Sequence, residues 1–108
     1  MIRIFLALLV AHALCDYPLQ GDFLARAKNH RAPIHGVPWY QALTAHALIH
    51  AGAVLLLTHS LMLFTFEFVC HWCIDRTKCE GTISYDTDQL LHIVCKAAWV
   101  WILAAGLA

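Results

Sequence analysis

The chain has 108 residues, 61% apolar and only 13% charged, with seven acidic side chains balanced by seven lysines and arginines. Soluble domains run at roughly 45–50% apolar and about 25% charged, so this composition predicts a single-domain membrane protein. Zero net charge, without any basic stretch interleaved with aromatics, excludes nucleic acid as a natural partner.

Residues 2–17 are predicted as a first, retained transmembrane helix, stopped by Tyr17-Pro18. A secretory signal is the alternative, but His12 and Asp16 would be odd passengers in a discarded segment. Residues 17–38 form a long polar connection. Within it, Phe23, Leu24 and Ala27 can share one face of a short interfacial helix. Trp39-Tyr40 marks re-entry at an aromatic belt, and the second span is predicted over 39–57. Thr58-His59-Ser60 is a tight turn before a third span at 61–75. Residues 76–87 make a second polar connection, and Asp86 or Thr87 is expected to N-cap a last span at 88–107.

The expected fold is therefore all-α: one integral membrane four-helix bundle over residues 1–108. A soluble four-helix bundle is the alternative, disfavoured by the scarcity of charge on the helix faces. Both long connections fall on one side, with Arg26, Lys28, Arg31, Arg76 and Lys78, against Arg3 alone on the other. The positive-inside rule then predicts a bacterial inner (cytoplasmic) membrane protein with these connections cytoplasmic.

One spacing recurs. His12 and Asp16, His46 and His50, His71 and Asp75, and Asp88 and His92 each place two metal-competent groups four residues apart. On a helix each pair stacks on one face. The predicted topology brings all four pairs to the same end, where scattered packing histidines would have no reason to gather. Five imidazoles and three carboxylates suit a divalent transition metal, zinc first, better than calcium or magnesium. Eight groups exceed the needs of one ion, so either two ions are held or some groups orient the others.

Glu67 continues the His71 and Asp75 stripe and is a candidate general base; a hydrogen-bonded packing role is its alternative. Gln20, Asp22 and Gln89, beside the pairs, are candidates for orienting ligands or binding substrate. The five cysteines cannot form a complete disulfide set within one chain, and Cys70-x-x-Cys73 lacks a matching second pair. They are read as small apolar side chains.

The ordered set of His12-x-x-x-Asp16, Leu19-Gln20-x-Asp22-Phe23, Lys28-Asn29-His30, His46-x-x-x-His50, His71-x-x-x-Asp75 and Asp88-Gln89-x-x-His92 resembles a bacterial and phage family of small membrane proteins, the domain of unknown function 3307. Pro18 and the cysteine-rich stretch at 70–79 depart from its pattern. The pattern is also similar to that of membrane proteins regarded as metal-dependent hydrolases. The family itself supplies no established activity; the leading expectation is a metal-dependent membrane hydrolase acting at the cytoplasmic headgroup level on a lipid phosphoester or another amphipathic substrate. The alternative is a non-enzymatic, metal-stabilised membrane module, such as a phage accessory protein that binds a host membrane partner. Metal or proton transport ranks last, because the other end of the bundle offers few polar groups.

Overall fold

A computed structural model describes residues 1–108 and contains five helices: α1 (Ile2–Asp16), α2 (Gly21–Ala27), α3 (Trp39–Thr58), α4 (Leu61–Glu80) and α5 (Tyr85–Ala104). Helix α3 packs on α1 and α4, α5 closes against α4 and α1, and α2 rests on α3. The long helices run along a body 45 Å in length and 23 by 22 Å across.

Local chemistry sets the helix ends. Tyr17 and Pro18 stop α1, and after a turn the chain leaves at 83° to it as α2. His59 takes up a left-handed conformation (φ 56°) and ends α3, while Ser60 Oγ accepts from Leu63 N at 3.2 Å to cap α4. Helix α4 runs five residues past the expected Asp75. Arg76 and Glu80 pair one turn apart at 2.5 Å, and no breaker occurs before Gly81, whose φ of 81° ends the helix. Ser84 Oγ then accepts from Thr87 N at 3.1 Å, so α5 begins at Tyr85 rather than Asp88.

The expected integral membrane four-helix bundle does not hold. The chain has five helices, and only α3 is by itself long and apolar enough to cross a membrane. The bent pair of α1 and α2, taken together, is the other stretch that passes. Helix α1 has 15 residues, about 22 Å of rise against a hydrocarbon core of about 30 Å. Helix α4 carries Glu67, Asp75, Arg76, Lys78 and Glu80, and α5 carries Asp86, Asp88 and Lys96. The charges of α4 are too many for an ordinary span, and neither α4 nor α5 is long and apolar enough to cross a membrane.

The interior divides in two. At one end Leu8, Val54, Leu63 and Trp99 form a small apolar core, each side chain contributing about 2 kcal/mol by burial. Toward the other end α3 presents Leu43, His46, Ala47, His50 and Ala51 at helical spacing, all buried. Its alanines let the neighbouring helices approach closely. His12, His46, His50, His71, Asp75, Asp88 and His92 are all buried there, so polar pairing, not apolar packing, organises that half.

Candidate metal centre

Four helices each deliver one pair to a single cluster. Helix α1 brings His12 and Asp16, α3 His46 and His50, α4 His71 and Asp75, and α5 Asp88 and His92. Three overlapping sets have donor atoms within 4.8 Å of one another: Asp16, His46, His50 and His71; His12, His71 and His92; and Asp75, Asp88 and His92.

His50 Nε2 lies 3.0 Å from Asp16 Oδ1, and His46 Nε2 lies 3.4 Å from both Asp16 Oδ1 and Asp75 Oδ2. His71 Nε2 is 3.6 Å from Asp75 Oδ1. Yet the Nε2 atoms of His46, His50 and His71 are buried with no aligned hydrogen-bond partner. Buried polar atoms near an acceptor normally bond to it. Two donors about 2.1 Å from one ion stand about 3.0 Å apart in octahedral and about 3.4 Å apart in tetrahedral geometry. The spacing therefore fits donors that converge on a cation better than hydrogen-bonded pairs.

Hydrogen bonds outside the cluster fix the rings. Gln89 Nε2 donates to Asp16 Oδ2 at 2.9 Å and Asp88 Oδ2 at 3.2 Å, so its Oε1 accepts from His12 Nε2 at 3.1 Å. His71 Nδ1 donates to Glu67 Oε1 at 3.3 Å, leaving Nε2 with its lone pair turned inward. The rings of His50, His71 and His92 stack, with centroids 3.7 and 4.2 Å apart along the series. His92 Nε2 donates to Asp75 Oδ1 at 3.1 Å.

Two buried lysines complete the electrostatics. Lys28 Nζ donates to Asp75 Oδ2 at 2.5 Å, and Lys96 Nζ donates to Glu67 Oε1 at 2.5 Å. Trp99 Nε1 donates to Glu67 Oε2 at 2.6 Å. Burial pushes the Glu67 carboxyl up, but the His71 hydrogen bond and the Lys96 charge outweigh it and hold the group below the usual carboxylate range. Burial opposes ionisation of Asp75 too, and His92, His71 and Lys28 overcome it. His71 is kept neutral, chiefly by burial. His92 goes the other way: burial lowers it, but its contacts with Asp75 and Asp88 prevail and raise the imidazole to about 9. The carboxylates of Asp16, Glu67, Asp75 and Asp88 therefore face the ammonium groups of Lys28 and Lys96 and the His92 imidazolium.

The carboxylate side of the cluster opens to solvent through a cavity of about 360 Å³, lined among others by Asp16, Gln20, Lys28, Asp75, Asp88 and Gln89. The hydroxyls of Tyr17 and Tyr85 hydrogen-bond to each other at its wall.

Of the other residues singled out in the sequence, Gln20 Nε2 donates to the Asp16 carbonyl at 3.0 Å. Asp22 borders the cavity but pairs with exposed Arg26 at 3.1 Å, outside the cluster. Glu67 lies behind His71, 1% exposed and away from the cavity, with both oxygens engaged. Sequence reasoning missed Lys28 and Lys96. Lys96 stands four residues after His92 on the Asp88 and His92 stripe, a signal open to the same rule that found the pairs. Lys28 entered the sequence reading only as a loop charge and as part of the Lys28-Asn29-His30 motif, with nothing to place it at the cluster.

No curated protein and no solved structure matches the chain. The family model described as protein of unknown function (DUF3307) matches residues 4–106, and the chain belongs to that family.

Proposed function

We propose that this protein is a metal-dependent hydrolase of the bacterial cytoplasmic membrane, acting on a lipid phosphoester or a related amphipathic substrate. The observation that carries the reading is the way Asp16, Asp75 and Asp88 extend a buried imidazole cluster to the wall of a solvent-connected cavity. A site meant only for structure has no need of that opening.

His12, Asp16, His46, His50, His71, Asp75, Asp88 and His92 are the residues that would hold one or two divalent transition-metal ions, with zinc the first choice. Such an ion would supply Lewis acidity and a bound water of lowered pKa. Phosphoester hydrolysis needs only water as co-reactant: its oxygen bonds to phosphorus, the ester P–O bond breaks, and the alcohol leaves with a proton. Asp88 lines the cavity and its Oδ1, 3.5 Å from His92 Nε2, makes no hydrogen bond; where a bound ion leaves Asp88 out of its ligand set, Asp88 is better placed than Glu67 to take the water's proton. Glu67 is assigned to orienting His71 instead. Gln89 holds Asp16 and His12 in register.

Membrane placement rests on the composition of α3 and on large apolar side chains left exposed, among them Leu6, Val10, Leu14, Leu56 and Leu61. Release of phosphate from lipid phosphomonoesters by zinc-loaded protein tests the reading. Activity lost in Asp88→Asn with metal content retained supports it, whereas wild-type protein inert toward every lipid phosphoester speaks against it.

A non-enzymatic, metal-stabilised module that binds a membrane partner is the second reading. It is favoured by the nearly complete burial of His46, His50, His71 and His92. It predicts that metal raises the unfolding temperature without producing turnover.

A further inference from the structure

We propose that Lys28 and Lys78 form an anion subsite beside the metal cluster, built for a phosphate group. The inference rests on the metal-dependent reading above for its partner groups and names the chemistry that the same cavity recognises.

Lys28 is 4% exposed, and its ammonium carries three donors. Only one is used, on Asp75 Oδ2 at 2.5 Å. Two N–H donors are therefore left without a protein partner on a side chain that lines the cavity. Those donors face a solvent-connected cavity, where water or an anion can accept from them, and an oxyanion adds charge to the hydrogen bond. Asp75 also receives a hydrogen bond from His92 at 3.1 Å, so Lys28 shares the pairing of that carboxylate and uses one donor on it.

Lys78 lines the same cavity and is steadied over the Tyr85 ring, 4.8 Å from its centroid. Both lysines line the cavity, together with the carboxylates of Asp16, Asp22, Asp75 and Asp88. An oxyanion there would accept from Lys28, with a metal ion on the cluster offsetting the carboxylates, as cationic clamps do for a phosphoryl group. The cavity, at about 360 Å³, is near the lower end of ligand pockets, roughly 300–1,000 Å³. It suits a phosphate and its immediate substituents, with the rest of the molecule outside. A phospholipid headgroup and a free phosphate share this chemistry.

The test is calorimetric titration of inorganic phosphate into detergent-purified, zinc-loaded wild type, Lys28→Gln and Lys78→Gln, with metal content measured on the same samples. Flotation with vesicles of phosphatidylcholine, with and without phosphatidic acid, runs in parallel. Phosphate binding weakened about tenfold or more in Lys28→Gln, and less in Lys78→Gln, with zinc retained, supports the subsite. Lysine-dependent flotation only with phosphatidic acid identifies a lipid source; titration without selective flotation identifies free phosphate.

Equal phosphate affinity in wild type and Lys28→Gln, with zinc retained, overturns the inference alone. Loss of zinc in Lys28→Gln overturns it as well, since Lys28 is then a structural counter-ion of Asp75. Should the wild type take up no metal, the hydrolase reading fails. The same titration then still decides: a Lys28-dependent phosphate affinity keeps the subsite, and no such affinity removes it. Lys28→Arg, which retains the charge, controls for folding and is expected to keep measurable phosphate binding.

Discussion

Glu67 and His71, one turn apart on α4, are joined by a 3.3 Å hydrogen bond from Nδ1 to Oε1 that turns the His71 Nε2 lone pair into the cluster. That bond assigns Glu67 a positioning role. A general base must reach the reacting water, and a carboxylate sealed behind an imidazole cannot.

Glu67→Gln is therefore expected to weaken zinc affinity by about 10–100-fold, the usual cost of losing a partner that orients a ligand. Competition with a chromogenic chelator measures it. Unchanged affinity with abolished turnover would restore Glu67 as the base.

Lys96 and Trp99 hold Glu67 from the other side. Lys96→Met leaves a buried carboxylate without its counter-charge and is expected to destabilise the fold by about 3–5 kcal/mol. Adding Glu67→Gln should recover most of that loss, because the uncompensated charge is gone. Denaturant unfolding of both variants checks the coupling. Additive losses would show that the two residues act independently.

Tyr85 provides a pH signature away from the buried cluster. The Tyr17 hydrogen bond pushes its phenol up to about 12. A raised acid pKa means that the contribution to stability is fully present below the ordinary phenol value of about 10. It is lost as pH rises through about 12. Absorbance at alkaline pH should show one of the three tyrosines ionising last, and Tyr17→Phe should bring it back to the ordinary range. Three tyrosines titrating together in the wild type would contradict the pairing.

Much of the site was legible because helical spacing is a local property. His46 and His50 share a face wherever their helix lies, and the buried stripe of α3 follows from the same periodicity. What was missed depends on tertiary distance. Lys28 follows a seven-residue helix in a polar stretch and looks solvated, until packing sets its ammonium against Asp75, 47 residues away. For Glu67 the sequence left a base and a hydrogen-bonded packing role open, because its partners Lys96 and Trp99 belong to another helix.

The fold was legible more coarsely. Apolar runs gave α1 and α3 to within one residue at each end, but placed α5 three residues late at both ends and cut α4 five residues short. Arg76-Thr-Lys-Cys-Glu80 has the composition of a loop, yet its i, i+4 charge pair continues the helix to Gly81. Composition also overstated the membrane character. Overall apolarity hides how the charges are shared out, and once each helix is taken separately only α3 passes by itself.

Metal content tests the central claim most directly: elemental analysis of purified wild type beside the His46→Ala, His50→Ala double variant. One or two equivalents of a divalent transition metal are expected in the wild type and none in the variant, with helical content preserved. A folded wild type that stays metal-free after incubation with zinc would contradict the account, leaving eight clustered side chains that hold the helices together by hydrogen bonds alone.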